Sequence, residues 1–207
     1  MRPITPAGIA AVLSCWAVPI TGGAQAQVDG WQAGAIEKAQ ALHRESLPED
    51  CTPEEEMAAA GDARIAYPLW FGEDGAARDA LLVQFLCSEG AYNRSFVYVL
   101  VDQYGVASPV FFPSPVVEVR YAGGDPEAAV EGITITGTVD SRQVVNARYD
   151  PDSRTMEEYN KWRGLADAYS LTRWGFRDGR FQIMHFAVDA SYDGKDNPQV
   201  LIERDIW

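Results

Sequence analysis

From Ala63 onward the chain carries its apolar residues in short runs, and each run stops at a turn signal. Runs of that length suit strands better than helices, so the fold must be built mainly from β-strands joined by turns. Ala63 to Phe71 alternates Ile65, Tyr67 and Leu69, and Gly72-Glu73-Asp74-Gly75 ends it. Leu81 to Leu86 and Phe96 to Val101 are denser, as expected of central strands. The corner between them, Cys87 to Arg94, reads as a tight turn in which Asn93 takes a left-handed conformation and Tyr92 packs on the sheet. Asp102-Gln103-Tyr104-Gly105 turns the chain into Val106 to Phe112. Pro113 and Pro115 are expected to break that run before Val116 to Tyr121. Ala122 to Gly132 is rich in Gly, Pro and acid and reads as a mobile loop before the strand Ile133 to Val139. Gln143 to Tyr149 and Thr155 to Trp162 flank a turn at Asp150-Pro151-Asp152-Ser153. Leu171 to Phe176 and Phe181 to Val188 flank Asp178-Gly179, a strong hairpin signal. Gln199 to Arg204 is the last strand, after Asp193-Gly194.

The first sixty residues read differently. Arg2 is followed by an apolar stretch, Gly8 to Ile20, too short to span a bilayer, and then by Ala24-Gln25-Ala26. This pattern predicts a secretory signal peptide over residues 1–26, cleaved before Gln27, with a single domain over 27–207. Ser14 before Cys15, and an apolar run continuing past it, favour this over a lipoprotein signal. Trp31 to Ser46 places Ala35, Ile36, Ala39, Leu42 and His43 on one helical face, with His43 at its edge. Leu47-Pro48 ends that helix. Thr52, Pro53 and Glu55 supply the cap, first position and capping-box partner of a second, short helix that closes at Gly61-Asp62. Glu54, Glu55 and Glu56 suit the positive end of its dipole, which explains them without a catalytic or metal role.

The 207-residue chain has a formal net charge of −13, and loss of Arg2 makes it more acidic still. That balance speaks against nucleic acid, which needs clustered Lys and Arg, and against anionic lipid. It favours basic partners. Of three cysteines, two stay in the mature region, Cys51 and Cys87, and in an exported protein they are expected to form one disulfide. Two histidines and no Cys-x-x-Cys or paired-His spacing leave no metal site in view. No cofactor motif is present either.

Four motifs in order resemble those of an exported bacterial family, domain of unknown function 1176. They are Cys87-Ser88-Glu89-Gly90-Ala91-Tyr92-Asn93, Val145-Asn146-Ala147, Lys161-Trp162-Arg163-Gly164-Leu165-Ala166-Asp167 and Trp174-Gly175-Phe176-Arg177-Asp178-Gly179-Arg180-Phe181. The resemblance runs from about Leu81 to the C-terminus. It departs from the family's pattern at Ala166, where the family has Gly, and at Ala168-Tyr169, where it has Cys-Gly. The family's function is itself unknown, so the resemblance implies an exported location and motif identity and says nothing about activity.

Two groups are candidate binding residues. Tyr92, Asn93 and Arg94 present an aromatic face, an amide and a guanidinium from one turn. Arg163 and Asp167 are spaced to form a charge-assisted pair, and Arg163 alone suits a carboxylate or phosphate. Asp189 to Gly194 matches the first half of a calcium loop, but Val200 stands where the bidentate Glu belongs, so it reads as an acidic turn. His43 and His185 lie in a helix face and a strand with no nucleophile motif near them, and no catalytic residue is assigned. The expected protein is a mainly antiparallel β sandwich or open barrel with one or two N-terminal helices. It is read as a periplasmic module that binds a basic envelope protein or a small ligand, an envelope-hydrolase inhibitor being one form. The alternative is a hydrolase of envelope carbohydrate working through acidic residues.

Overall fold

The computed structural model describes residues 30–46, 51–52, 64–71 and 78–207. The expected signal peptide, the body of the expected second helix and the turn expected at Gly72–Gly75 fall outside the described residues. Helix α1 (Gly30–Ser46) precedes twelve strands: β1 (Arg64–Phe71), β2 (Arg78–Glu89), β3 (Arg94–Val101), β4 (Ala107–Pro109), β5 (Phe112–Tyr121), β6 (Val130–Ser141), β7 (Gln143–Val145), β8 (Arg148–Asp150), β9 (Thr155–Lys161), β10 (Tyr169–Arg177), β11 (Arg180–Asp189) and β12 (Gln199–Glu203). All pairings are antiparallel. The first sheet runs β1-β2-β3, with β4 and β7 both on the far side of β3. The second runs β12-β11-β10-β9-β8, and β5 pairs with β6 as a two-stranded ribbon. Among the described residues no sheet closes into a barrel; the arrangement is a sandwich with a helix on its back.

Strand alternation explains the layers. On β2 and β3, Leu82, Leu86, Phe96 and Tyr98 face the second sheet and join Met156, Trp174, Phe181, Ile183 and Val188 in the larger core. The intervening Leu81, Val83, Phe85, Val97, Val99 and Val101 face the other way and pack under Ala35 and Ala39 of α1. Both faces of the first sheet are therefore buried, which is why these two runs are nearly free of polar residues. His43 is not at the edge of the helical face. It is buried and stacked on Phe85 with ring centroids 4.2 Å apart. Arg142 reaches the end of α1 and donates to the Ser46 carbonyl at 2.7 Å, a cation at the negative end of the helix.

Three of the expected strand boundaries need correction. Pro113 and Pro115 do not break a strand; β5 runs through both. They sit on the ribbon's outer edge, where a missing N–H costs no ladder bond, and the Pro113 carbonyl instead accepts the Trp174 indole at 2.8 Å. Gln143 to Tyr149 is not one strand but two, β7 and β8, in different sheets. The chain crosses at Asn146, whose φ is 46°. Finally, β6 begins at Val130, so the loop after β5 ends earlier than Gly132, behind a single 3-10 turn at Ala122–Gly124.

Candidate functional site

The corner after β2 starts with a bulge: Leu86 faces Phe96 and Ser88 faces Ser95, leaving Cys87 without a partner across the ladder. Its sulfur is bonded to Cys51, with Cα atoms 4.5 Å apart, and Thr52 N–H donates to the Cys87 carbonyl at 2.8 Å. The corner closes where Gly90 N–H donates to the Asn93 carbonyl at 2.7 Å. Asn93 is not the left-handed residue; its side chain crosses to the second sheet. Its amide donates to the Lys161 carbonyl at 2.8 Å, and its oxygen accepts from Asn146 Nδ2 at 2.8 Å. Asn146 is the left-handed residue. Its side chain also donates to the Tyr159 carbonyl at 2.9 Å and accepts from Arg94 N–H at 2.9 Å, while its own N–H donates to the Arg94 carbonyl. The Gly-Ala-Tyr-Asn and Val-Asn-Ala motifs therefore form one amide clasp between the two sheets.

Tyr92 is exposed, with its hydroxyl 3.5 Å from the Trp162 carbonyl and its ring 3.6 Å from where a Cβ on Gly164 would lie. Arg94 pairs with Glu89 at 3.5 Å across the corner and lies over the Phe96 ring. Arg163 and Asp167 do pair, through two bonds, one of 2.6 Å from Nε. Arg163 also donates to the Tyr192 carbonyl at 2.9 Å and stacks on the Tyr192 ring at 5.0 Å. Asp167 is buried and also accepts from Gly194 N–H at 2.9 Å. Its hydrogen bond from Arg163 holds its pKa down at about 2. This pair ties the β9–β10 loop to the loop after β11.

Asp189 begins that second loop. Its carboxylate accepts from Ser191 N–H, Ser191 Oγ and Asn197 N–H. Those bonds shape an acidic turn. Among the described residues no cluster of His, Cys, Asp and Glu is arranged to hold a metal.

Beside this loop lies an open cleft of about 470 Å³. One wall is the turn between β5 and β6, Glu127 to Val130; the other is the loop from Asp189 to Asp193. Val130, Ile133 and Val188 supply its apolar lining, and Glu127, Tyr192 and Asp193 its polar groups. Arg163 sits at the back of Tyr192, within reach of the Glu127 charge. The candidate residues thus divide in two. Tyr92, Asn93 and Arg94 belong to the corner, whereas Arg163 and Asp167 support the cleft.

Sequence reasoning passed over Asn146 and Glu158 as site residues. An Asn interrupting an apolar run is a left-handed signal that marks Asn146. Glu158 shares the inward-facing parity of Met156, which is the available sign that its carboxylate is covered. It accepts from Val145 N–H at 2.7 Å and Thr172 Oγ1 at 3.3 Å, and burial raises its pKa to about 6.

A helix-backed β sandwich, clasped by two asparagines and fastened by a disulfide, is the class of protein these features define. The chain belongs to the family described as Protein of unknown function (DUF1176), whose model matches residues 19–198. The match begins well upstream of the four motifs, taking in α1 and Cys51, and stops before β12. No curated protein and no solved structure matches the chain.

Proposed function

We propose that this protein is a non-catalytic binding module of the bacterial envelope, exported to the periplasm as one domain over residues 27–207 after loss of its signal peptide. Its ligand is a basic envelope protein or a small molecule, received in the cleft between the β5–β6 turn and the Asp189–Asp193 loop. One observation carries this reading: the side chains of Asn93, Asn146, Arg163 and Asp167 are bonded to other parts of the molecule, while the cleft stays open. The Cys51–Cys87 bond suits an oxidising compartment. Among the described residues no helix is long and apolar enough to cross a membrane. The acidic chain favours a basic partner by charge complementarity, as an inhibitor of a basic envelope hydrolase would need. The test is to fill the cleft with Ala129→Trp and compare capture of periplasmic proteins. A partner retained by the native protein and lost by the variant supports the reading; equal capture by both refutes it.

A second reading, hydrolysis of envelope carbohydrate, draws on the carboxylates of Glu127 and Asp193 on the two walls of the cleft. Asp189 fits it poorly, because its carboxylate is held by backbone donors. Release of soluble fragments from purified cell-wall carbohydrate, abolished by Glu127→Gln, would replace the binding reading with this one.

A further inference from the structure

We propose that the outer edge of β6 accepts an extended, basic segment of a partner protein as an added strand. The inference rests on the binding reading above and names how that partner is held.

A two-stranded ribbon has two edges, and here they are unlike. The β5 edge is closed. Pro113 and Pro115 have no N–H, and the Pro113 carbonyl already accepts the Trp174 indole. Opposed residues in an antiparallel ladder direct their backbone polar groups either both inward or both outward. Pro113 faces Asp140, and Pro115 faces Thr138. Thr138 and Asp140 therefore aim their N–H and C=O groups away from β5, at the opposite edge. There, among the described residues, β6 pairs with no strand but β5, and every residue from Thr136 to Asp140 is exposed. Unpaired strand edges of this kind are templates for another chain.

The usable stretch is short. Val116 faces Gly137 and Val117 faces Ile135, so Thr136 is a bulge, and the ladder beyond it spans Gly137 to Ser141. Strands of three residues already pair in this protein, at β4, β7 and β8. Val139, 54 % exposed, and Val116, 40 % exposed, give the added strand an apolar flank. Asp140 supplies a carboxylate at the edge, and the chain's charge of −13 opposes a second copy while attracting Lys and Arg. The occupant is thus a basic strand rather than another copy of this chain.

The experiment uses the mature protein with a labelled decapeptide of alternating Lys and Val, and a Glu and Val counterpart. The Lys peptide should bind, should slow hydrogen exchange at the Thr138 and Asp140 amides, and should outbind the Glu peptide. Thr138→Pro removes an outward N–H and no β5 bond, and should weaken binding about tenfold. Asp140→Lys keeps every backbone group and should weaken the Lys peptide severalfold, which decides the matter should Thr138→Pro fail to fold. No binding, unchanged exchange at both amides, or equal binding by Asp140→Lys overturns the proposal. So does a dimer in sedimentation that Thr138→Pro abolishes, since a second copy would then occupy the edge. Partner capture that survives at the cleft in Thr138→Pro would sink the edge alone and leave the binding reading standing.

Discussion

Asn146 combines a left-handed backbone with a side chain that bonds three residues in two other segments, and few residues other than Asn reconcile the two. Asn146→Ala should cost about 2–3 kcal/mol, read as a lower midpoint in urea unfolding. Ala166 is the opposite case. It holds φ at 57°, so an alanine bears the strain of a conformation that suits glycine. Ala166→Gly should raise stability by up to about 1 kcal/mol, or about 2–4 °C in Tm, and a fall in Tm would contradict this. Glu158 provides a pH signature. Its folded pKa, about 6, lies above the ordinary 4.5, because burial outweighs the two hydrogen bonds it accepts. Its contribution is fully present below pH 4.5 and lost as pH rises through about 6, a change of about 2 kcal/mol that Glu158→Gln should flatten. Asp167 has the reverse sign: its stabilisation is present above pH 3.8 and is lost as pH falls through about 2. The Arg163–Asp167 pair was legible from spacing. The left-handed residue was misplaced onto Asn93, because turn composition says which residues tolerate that conformation and not which one is asked to adopt it.

At the scale of elements, local chemistry was a good guide wherever the turn itself dictates pairing. Asp178 and Gly179 both have positive φ, 53° and 76°, and they join β10 to β11 at the tip of the predicted hairpin. Gly179→Val should destabilise by about 1 kcal/mol or more, measured by thermal unfolding. The dense runs of β2 and β3 announced central strands, and α1 and the second sheet cover the two faces of their sheet. Two features were hidden because they depend on neighbours remote in sequence. Pro113 and Pro115 are harmless only because β5 bonds to β6 on its other side. The division of Gln143–Tyr149 follows from β3 claiming β7 while β9 claims β8. The disulfide belongs to this scale too. Cys51 and Cys87 close a loop of 36 positions, and replacing both by Ala should cost on the order of 2–4 kcal/mol in unfolding under oxidising conditions.

For the whole molecule, the central claim is a division of labour. The asparagines of two family-like motifs hold the two sheets together, and in the proposed function ligand contact falls to the cleft and the ribbon. The sequence shows the motifs plainly, but the cleft is formed by segments some sixty positions apart, Glu127–Val130 and Val188–Asp193, with no shared motif to announce it. The most direct test compares Asn93→Ala with Ala129→Trp for both Tm and partner capture, assayed well below either Tm. The account predicts that Asn93→Ala lowers Tm by several degrees and keeps capture, whereas Ala129→Trp keeps Tm and loses capture. An Asn93→Ala protein that melts normally yet captures nothing, beside an Ala129→Trp protein that captures normally, would contradict it.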